Sequence, residues 1–253
     1  MVDIHSHILW GMDDGARTIE ESEAMLHMAA RYGTTDIVAT PHADMQYTYA
    51  PDLVNQRMAE LQGRVGKSIR IHRGCDFHLK IDNIREAIEN PAKYSVNGNG
   101  WLLVEFSEWM IIPNTEEIFN QLESAGMRII VTHPERNALL RGKFDRLENW
   151  VHSGAYLQIT AQSVLGYFGG EARRFSEKLL DNGLVHFVAS DAHDLERRMP
   201  RLDLAFWALA ERYSEEYATA LMRTYPMHVV EGSRIAPGPL APPARRKKWF
   251  QFW

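Results

Sequence analysis

Seven short apolar runs, separated by amphipathic stretches, are the feature that most constrains how this chain can fold. The runs are rich in β-branched residues, which favour strands, and they occupy residues 1–4, 36–39, 69–73, 102–106, 128–131, 155–159 and 186–189. The stretches between them predict helices. Regular alternation of strand and helix is typical of a parallel sheet covered by helices. The expected fold class is therefore α/β, and seven units favour a closed or nearly closed barrel over an open sheet.

Helix-end signals support this alternation. Thr18 and Glu21 have the spacing of a capping box, and Gly33 ends the apolar stripe that follows them. A proline at the start and a glycine just past the end mark a predicted helix over residues 113–125, and a glycine also follows a predicted helix over residues 171–182. The sequence has no internal repeat and no interdomain linker, so a single domain is expected.

Composition limits the classes of partner and compartment. The chain has 253 residues, of which 45% are apolar, so it can bury a substantial core. Its formal net charge of -5 offers no overall attraction to nucleic acid, and no nucleic-acid partner is expected. The single cysteine, Cys75, cannot form an internal disulfide. The polar first seven residues do not resemble a signal peptide, and no apolar run approaches the ~20 residues that span a bilayer, so a cytoplasmic location is expected.

Potential metal ligands follow the predicted strands at one and the same end. Six of the seven strands supply at least one histidine or acid there, namely His5 and His7, His42, Asp76, Glu105, His133, and Asp191 with His193. In parallel barrels the carboxyl ends of the strands are where active sites are built, because the loops converge there on a rigid scaffold. This placement predicts a shared site.

The types and spacing of these residues indicate a cluster of metal ions in a hydrolase. His5 and His7 are two residues apart at a strand end, so their side chains point to the same face, and the same holds for Asp191 and His193. Imidazole and carboxylate without thiolate form the ligand set of zinc, manganese and iron hydrolases, and carboxylates can bridge neighbouring ions. The set exceeds what one ion needs.

Three further loops hold candidate site residues. In the loop Asp13-Asp14-Gly15 we favour Asp14 as an additional ligand, against the alternative of a polar turn with glycine at positive φ. Arg136 and Arg198 lie on ligand-bearing loops, where guanidinium groups bind phosphate oxygens well. The residues after Cys75 do not form a glycine-rich phosphate cradle that ends in arginine, so Cys75 is a poor candidate for the nucleophile of a cysteine phosphatase.

Two segments leave alternatives open. Residues 233–253 form a tail that is rich in proline, then basic at 245–248, then aromatic, and it either contacts a membrane surface or a partner or is an unstructured solvated end. Trp10, Trp109, Met110 and Ile111 lie near predicted loops, and they either line a substrate groove, form a subunit contact or pack in the core.

Four ordered motifs together carry a family resemblance. They are His5-Ser6-His7, Thr40-Pro41-His42, Thr132-His133-Pro134-Glu135-Arg136 and Ser190-Asp191-Ala192-His193. They resemble the PHP (polymerase and histidinol phosphatase) superfamily. Within it, residues 2–8 together with Asp13-Asp14-Gly15 are most similar to the metal-dependent bacterial protein-tyrosine phosphatases of capsular and exopolysaccharide loci.

The resemblance implies a distorted (β/α)7 TIM-like barrel over residues 1–232 that hydrolyses phosphotyrosine with three divalent ions, often manganese, with iron or zinc as alternatives. The implied ligands are His5, His7, Asp76 and Asp191 for one ion, Asp76, Glu105 and His133 for the second, and Asp14, His42 and His193 for the third. Arg136 and Arg198 would bind the phosphate. The family more often has glutamate, one methylene longer, where Asp76 stands.

The resemblance also implies a partner and leaves two rival functions. The implied substrate is a phosphotyrosine-containing protein, an autophosphorylating tyrosine kinase that controls polysaccharide export. The first rival is another phosphoesterase on the same scaffold, a histidinol phosphatase or a nucleotide-directed enzyme. The second rival is a non-catalytic metal-binding regulator.

Overall fold

Parallel strands form the centre of the molecule in the computed structural model, which describes residues 1–240. Within that range there are nine strands: β1 (Val2–Ser6), β2 (Asp36–Ala39), β3 (His42–Ala43), β4 (Arg70–Arg73), β5 (Asp76–His78), β6 (Trp101–Glu105), β7 (Arg128–Thr132), β8 (Tyr156–Thr160) and β9 (Val185–Ala189). All seven predicted strands are present, with ends that differ by two residues or fewer. The two additional strands, β3 and β5, were not predicted.

The nine strands form the seven staves of a barrel, where a stave is either one strand or two short strands in line. One sheet has the order β1-β2-β4 and the other β3-β5-β6-β7-β8-β9, and every pairing is parallel. Only two residues separate β2 from β3, and likewise β4 from β5, so each pair is one interrupted stave. Proline, which has no N–H to donate, lies in the first interruption at Pro41. The interruptions divide the barrel into its two sheets.

Hydrogen bonds between the first stave and the loop after the last one close the ring. Asp191 N donates to His5 O over 2.9 Å, and His7 N donates to Ala192 O over 2.8 Å. Together with the seven staves, this closure confirms the predicted α/β fold, a distorted (β/α)7 barrel in a single domain. It also joins two of the predicted ligand segments directly.

Helices cover the outside of the barrel. Within the described range the α-helices are α1 (Ile19–Arg31), α2 (Pro51–Val65), α3 (Ile81–Glu89), α4 (Pro91–Tyr94), α5 (Thr115–Ser124), α6 (Ala138–Arg141), α7 (Phe144–His152), α8 (Ala161–Leu165), α9 (Gly169–Asp181), α10 (Asp203–Arg212), α11 (Glu215–Thr219) and α12 (Tyr225–Glu231). Thr18 caps α1 by accepting a hydrogen bond from Glu21 N, as the sequence predicted. Helix α5 begins two residues after the predicted start.

Two buried layers hold the structure together. A large outer layer packs the strands against the helices. A smaller inner layer fills the barrel, and its members include Ile4, Trp101, Leu103, Ile130 and Phe187, all 0% exposed. The inner layer excludes water from the space beneath the carboxyl ends of the strands. The barrel is therefore a packed support for those ends, as in other parallel barrels.

A β-bulge in β1 explains how one short strand supplies side chains both to the inner apolar layer and to the ligand cluster above it. Between Asp3 and Ser6 the pairing with β2 shifts by one residue. Such an extra residue re-aims the side chains that follow it. Ile4 therefore packs in the inner apolar layer, while His5 and His7 lie at the carboxyl end of the barrel.

The chain after α12 returns beneath the barrel. Trp101 Nε1 donates to Ser233 O over 3.1 Å, and Tyr156 Oη donates to Ile235 O over 2.8 Å. Both donors stand at the first residues of their strands, so residues 233–240 cover the end opposite the predicted ligands. The basic and aromatic part of the tail, and with it the predicted membrane or partner contact, lies outside the described residues. In residues 1–240 no helix has the length and apolar character needed to cross a membrane.

We predict that Phe187→Ala lowers the free energy of unfolding by about 3–5 kcal/mol, because it opens a cavity in a close-packed layer. Phe187 is 0% exposed and packs edge-on to Trp101, with ring centroids 6.1 Å apart. Urea denaturation followed by circular dichroism measures the effect. The control is Leu204→Ala on the outer face of α10, which should cost less than about 0.5 kcal/mol. Equal losses in the two variants would contradict the assignment of Phe187 to the inner layer.

Candidate metal centre

The nine predicted ligand side chains converge at the carboxyl end of the barrel. Their nitrogen and oxygen atoms form four overlapping groups, each with all its atoms within 4.8 Å of one another. The groups are His5, His7 and Asp76; His5, His133 and Asp191; His7, Asp14, His42 and His193; and His42, Asp76, His78 and Glu105. The structure thus brings together every residue that the sequence predicted as a ligand, and it adds His78.

The innermost group, which we define as His5, His7 and Asp191 from two of these overlapping groups, surrounds a single point. His5 Nε2 and His7 Nε2 are 3.3 Å apart, and Asp191 Oδ1 lies 3.4 Å from each of them. Ligand atoms bound about 2.1 Å from a tetrahedral ion are separated by about 3.4 Å. The three atoms therefore have the mutual spacing of ligands to one cation.

Asp76 lies between this group and the next. Its Oδ2 atom is 3.6 Å from His5 Nε2 and 3.1 Å from His42 Nδ1, and the side chain is completely buried. A carboxylate in that position can bridge two ions. The short aspartate side chain reaches both histidines because Asp76 is the first residue of β5, at the carboxyl end of the barrel.

The solvent side of the cluster is formed by Asp14. Its Oδ1 atom is 3.4 Å from His42 Nε2 and 3.3 Å from His193 Nε2. The rings of His7 and His193 lie with centroids 4.0 Å apart, so this group is adjacent to the innermost one. Asp14 is half exposed, whereas His193 is buried. The adjacent Asp13 instead accepts hydrogen bonds from His7 Nδ1 and His42 N.

Glu105, at the end of β6, contacts three histidines. Its carboxylate oxygens lie 3.4 Å from His42 Nδ1 and 3.6 Å from His133 Nε2, and His78 Nε2 forms a short hydrogen bond with it. Sequence reasoning did not include His78. A signal was present, because His78 is two residues after Asp76 and so has the same spacing as the other two predicted pairs.

Hydrogen bonds behind the histidines decide which nitrogen faces the centre. His7 Nδ1 donates to Asp13 Oδ2 over 2.7 Å, and His5 Nδ1 donates to Gln158 Oε1 over 2.9 Å. Each bond leaves Nε2 with its lone pair directed at the cluster, as metal-binding histidines require. Sequence analysis missed both roles, although a buried glutamine inside the apolar strand β8 was a signal for Gln158.

Two site residues have strained backbones. His133 has φ 31° and Asp191 has φ 51°, and in residues 1–240 the only other non-glycine residue at positive φ is Asn97. Left-handed backbone is uncommon for residues other than glycine, although histidine and aspartate adopt it more readily than most, and it costs free energy that the surroundings must offset. His133 directly follows β7, and Asp191 is the second residue after β9, so both lie at the carboxyl ends of strands. The strain therefore marks the site independently of its side chains.

Arg136 and Arg198 both bind Asp191. Arg198 Nη2 donates to Asp191 Oδ2 over 2.5 Å, and Arg136 Nη1 forms a short hydrogen bond with the same oxygen. The guanidinium of Arg136 also stacks on Phe168, with Cζ 4.5 Å from the ring centroid. Two positive groups thus lie together at one edge of the cluster, and their role in binding phosphate stays a prediction.

Opposite charges inside the cluster shift its pKa values in both directions. Burial opposes ionisation of Asp191, but Arg136 and His5 hold the pKa of its carboxyl well below the usual range. Burial also acts against charge on His5, yet the carboxylates of Asp191 and Asp76 raise its pKa to about 9. In contrast, burial and the neighbouring His7 lower the pKa of His193 to about 4. Asp191 therefore stays ionised, and the proton on His5 occupies a position that a cation can take.

The donor set fits divalent cations, because buried polar atoms at the cluster lack hydrogen-bond partners. Among the buried side-chain atoms of residues 1–240 without such a partner are both carboxylate oxygens of Asp76, His42 Nδ1 and His193 Nε2. Buried polar atoms are almost always satisfied by protein, water or an ion. Carboxylate and imidazole atoms that lie close together without hydrogen-bond partners are the donor atoms that a bound cation would need.

The remaining predicted non-ligands lie elsewhere. His27 is exposed on α1 beside Glu23, His72 pairs with Asp36, and His186 Nε2 bonds to Gly238 O. His152 ends α7 on the exterior. Cys75 is completely buried, and burial raises its pKa well above the usual value, so it is unsuited to act as a thiolate nucleophile.

Gly15 fixes the acidic loop against β1. A Cβ atom at this position would lie 2.1 Å from His7 O and 2.6 Å from His7 Cβ. The predicted alternative, a turn with glycine at positive φ, is wrong in that respect, because Gly15 is not among the positive-φ glycines of residues 1–240. Close approach of the two backbone segments, and not backbone handedness, requires glycine here.

We predict that Gly15→Ala weakens divalent-metal binding by about ten- to a hundredfold, because the loop must move and withdraw Asp13 from His7. Calorimetric titration with manganese measures the affinity. Gly63→Ala is the matched control, since Gly63 lies within α2 and a Cβ there would meet nothing within 4 Å. The control should bind metal as the unchanged chain does. Wild-type affinity in Gly15→Ala would refute the role given to the close approach.

Comparisons with known proteins agree with this geometry. CapC of Staphylococcus aureus is 35% identical to the chain over 99% of both sequences. The tyrosine-protein phosphatase YwqE of Bacillus subtilis (strain 168) is 31% identical over 100% of both. A solved structure from work on YwqE and on CpsB of Streptococcus pneumoniae, described as metal-dependent tyrosine phosphatases, superposes with a TM-score of 0.88 at 30% identity, covering 95% of this chain and 100% of that one.

A family pattern described as capsular polysaccharide synthesis, CpsB/CapC, matches residues 1–231. That range contains every candidate ligand of the cluster and both arginines. It extends through the whole barrel to the end of α12. The chain therefore belongs to the CpsB/CapC family of capsular polysaccharide synthesis.

Proposed function

We propose that this chain is a metal-dependent protein-tyrosine phosphatase, and that its catalytic domain comprises residues 1–232. The observation that carries the proposal is the convergence of nine histidines and acids on one cluster, with two arginines at its edge. Relatives named as tyrosine-protein phosphatases, similar over nearly their full length, support the reaction class.

We propose three divalent cations at the cluster, with manganese as the first choice and iron or zinc as alternatives. The residues that would hold them are His5, His7, Asp76 and Asp191; Asp76, Glu105 and His133; and Asp14, His42 and His193. His78 is a further candidate in the group around Glu105. When bound, such ions would supply Lewis-acid activation of water and neutralisation of phosphate charge. Nitrogen and oxygen ligands accept all three metals.

Arg136 and Arg198 would bind the phosphate of the substrate. Each now donates to Asp191 Oδ2, and a guanidinium has five N–H donors, so donors other than these remain for phosphate oxygens. Phe168 holds the Arg136 guanidinium by stacking on it. The two arginines would orient the ester and balance the charge that develops on phosphorus-bound oxygens during transfer.

As the physiological partner we propose an autophosphorylating tyrosine kinase of polysaccharide export, in the cytoplasm, where such a kinase has ATP. Membership of a capsular polysaccharide synthesis family supports this choice. The chain's own part would be to remove phosphate from tyrosines of that kinase.

We expect the chain, loaded with manganese, to hydrolyse phosphotyrosyl peptides in preference to histidinol phosphate and nucleotides. EDTA should abolish turnover and added manganese should restore it, because the proposed site depends on divalent ions. Release of inorganic phosphate from a panel of these substrates measures the preference. Chelator-resistant turnover would contradict the metal mechanism, and a preference for histidinol phosphate would identify a different phosphoesterase on this scaffold.

We predict that Arg136→Ala lowers kcat/KM for a phosphotyrosyl peptide by about a hundredfold, the usual effect of removing one donor to a transition-state oxygen. Metal content measured by plasma mass spectrometry should stay unchanged, because Arg136 is not a ligand. Arg197→Ala is the control, since Arg197 lies next to Arg198 in sequence and is exposed. Loss of metal in Arg136→Ala would instead show that Arg136 acts by holding Asp191 in place.

A further inference from the structure

Beside the metal centre lies a wide groove with an apolar rim. The loops that follow β3, β5 and β6 enclose a cavity of about 990 Å³, which we call the Trp109 groove. Its inner end is formed by His42, His78 and Glu105, which belong to one of the candidate metal groups. The groove is therefore continuous with the place where a phosphate would be hydrolysed.

The outer end of the groove exposes large apolar side chains. In the described part of the chain eight large apolar residues are exposed, and four of them line this groove: Met45, Ile81, Trp109 and Met110. Trp109 is 92% exposed and Met45 is 84% exposed. Concentration of exposed apolar surface around a concave site marks a binding site, because its burial by a ligand is favourable.

The size of the groove exceeds the need of one phosphorylated side chain. Pockets that hold drug-sized ligands have volumes of about 300–1,000 Å³, and this cavity is at the upper end of that range. A phosphotyrosyl ring that enters past His78 and Glu105, with its phosphate at the metal centre, would fill only the inner part. Space next to Trp109 and Met110 would then be available for neighbouring residues of the same peptide.

Charge at the rim distinguishes a peptide from a membrane. Besides Glu105 at the inner end, three acidic residues, Asp44, Asp82 and Glu108, line the groove together with one basic residue, Lys80. An anionic lipid surface attracts basic segments and is repelled by such a rim. A peptide with uncharged apolar neighbours beside its phosphotyrosine meets no such repulsion.

We propose that the Trp109 groove binds the apolar residues that flank phosphotyrosine in an extended peptide, and that Trp109 and Met110 are specificity-determining residues. The inference rests on the proposed phosphatase function. The metal centre recognises the phosphate, which all phosphoesters share, whereas the groove recognises what surrounds the tyrosine. Aromatic side chains such as Trp109 supply large contact area to such ligands.

The test compares two phosphotyrosyl peptides that differ only in having leucine or glycine on both sides of the phosphotyrosine. With the manganese-loaded full chain, kcat/KM for the leucine peptide should exceed that for the glycine peptide by roughly three- to tenfold, the range of one aromatic contact. Trp109→Ala should remove most of this ratio, and Trp109→Phe should keep most of it. Trp207→Ala, an exposed tryptophan on α10 outside the groove, should leave the ratio unchanged.

Several results would overturn the proposal. Equal kcat/KM for the two peptides in the unchanged chain refutes the groove but leaves the phosphatase function standing. Hydrolysis of neither peptide, together with turnover of histidinol phosphate, refutes both. An unchanged peptide ratio in Trp109→Ala, combined with loss of binding to phosphatidylglycerol vesicles, assigns the groove to a membrane surface instead.

Discussion

The charge of Asp191, a completely buried carboxylate, is the constraint on which the site and much of the barrel depend. An unpaired carboxylate in a protein interior is strongly destabilising. Here His5 and His7 approach one of its oxygens at 3.4 Å, and two arginines bind the other. These partners come from β1, the loop after β7 and the loop after β9. The side chains that neutralise Asp191 therefore connect the first and last staves of the barrel. The hydrogen bond from Asp191 N to His5 O holds the same two staves together.

The rest of the barrel supports this arrangement. A bulge in β1 and left-handed backbone at Asp191 aim side chains at the centre, at a local cost that the packed surroundings offset. Beneath them the inner apolar layer excludes water. Residues 233–240 cover the opposite end of the barrel. Charged groups are thus confined to the carboxyl ends of the strands, and apolar packing occupies everything below.

The metal centre and the Trp109 groove divide recognition between them. The centre presents imidazoles, carboxylates and guanidinium groups, which recognise a phosphate and distinguish poorly between its esters. The groove begins at the same residues, His42, His78 and Glu105, and presents apolar side chains further out. Preference for one phosphoester over another must come from contacts beyond the reacting group. This makes the loop after β6 the natural place for substrate choice.

Sequence patterns alone predicted the alternation of strands and helices, the nine candidate ligands and the two candidate phosphate-binding arginines, because apolar periodicity and polar residues at strand ends are local patterns. The sequence favoured Asp14 over Asp13 as a ligand, but only the three-dimensional structure shows that Asp13 binds His7 Nδ1 while Asp14 faces His42 and His193, because adjacent acids differ only in direction. Only the three-dimensional structure shows the short strands β3 and β5, which are too polar to appear as apolar runs in the sequence. The same is true of the contact of Gln158 with His5 and of the contacts of residues 233–240 with the barrel. Those features depend on distances between residues far apart in the chain, which no local pattern records.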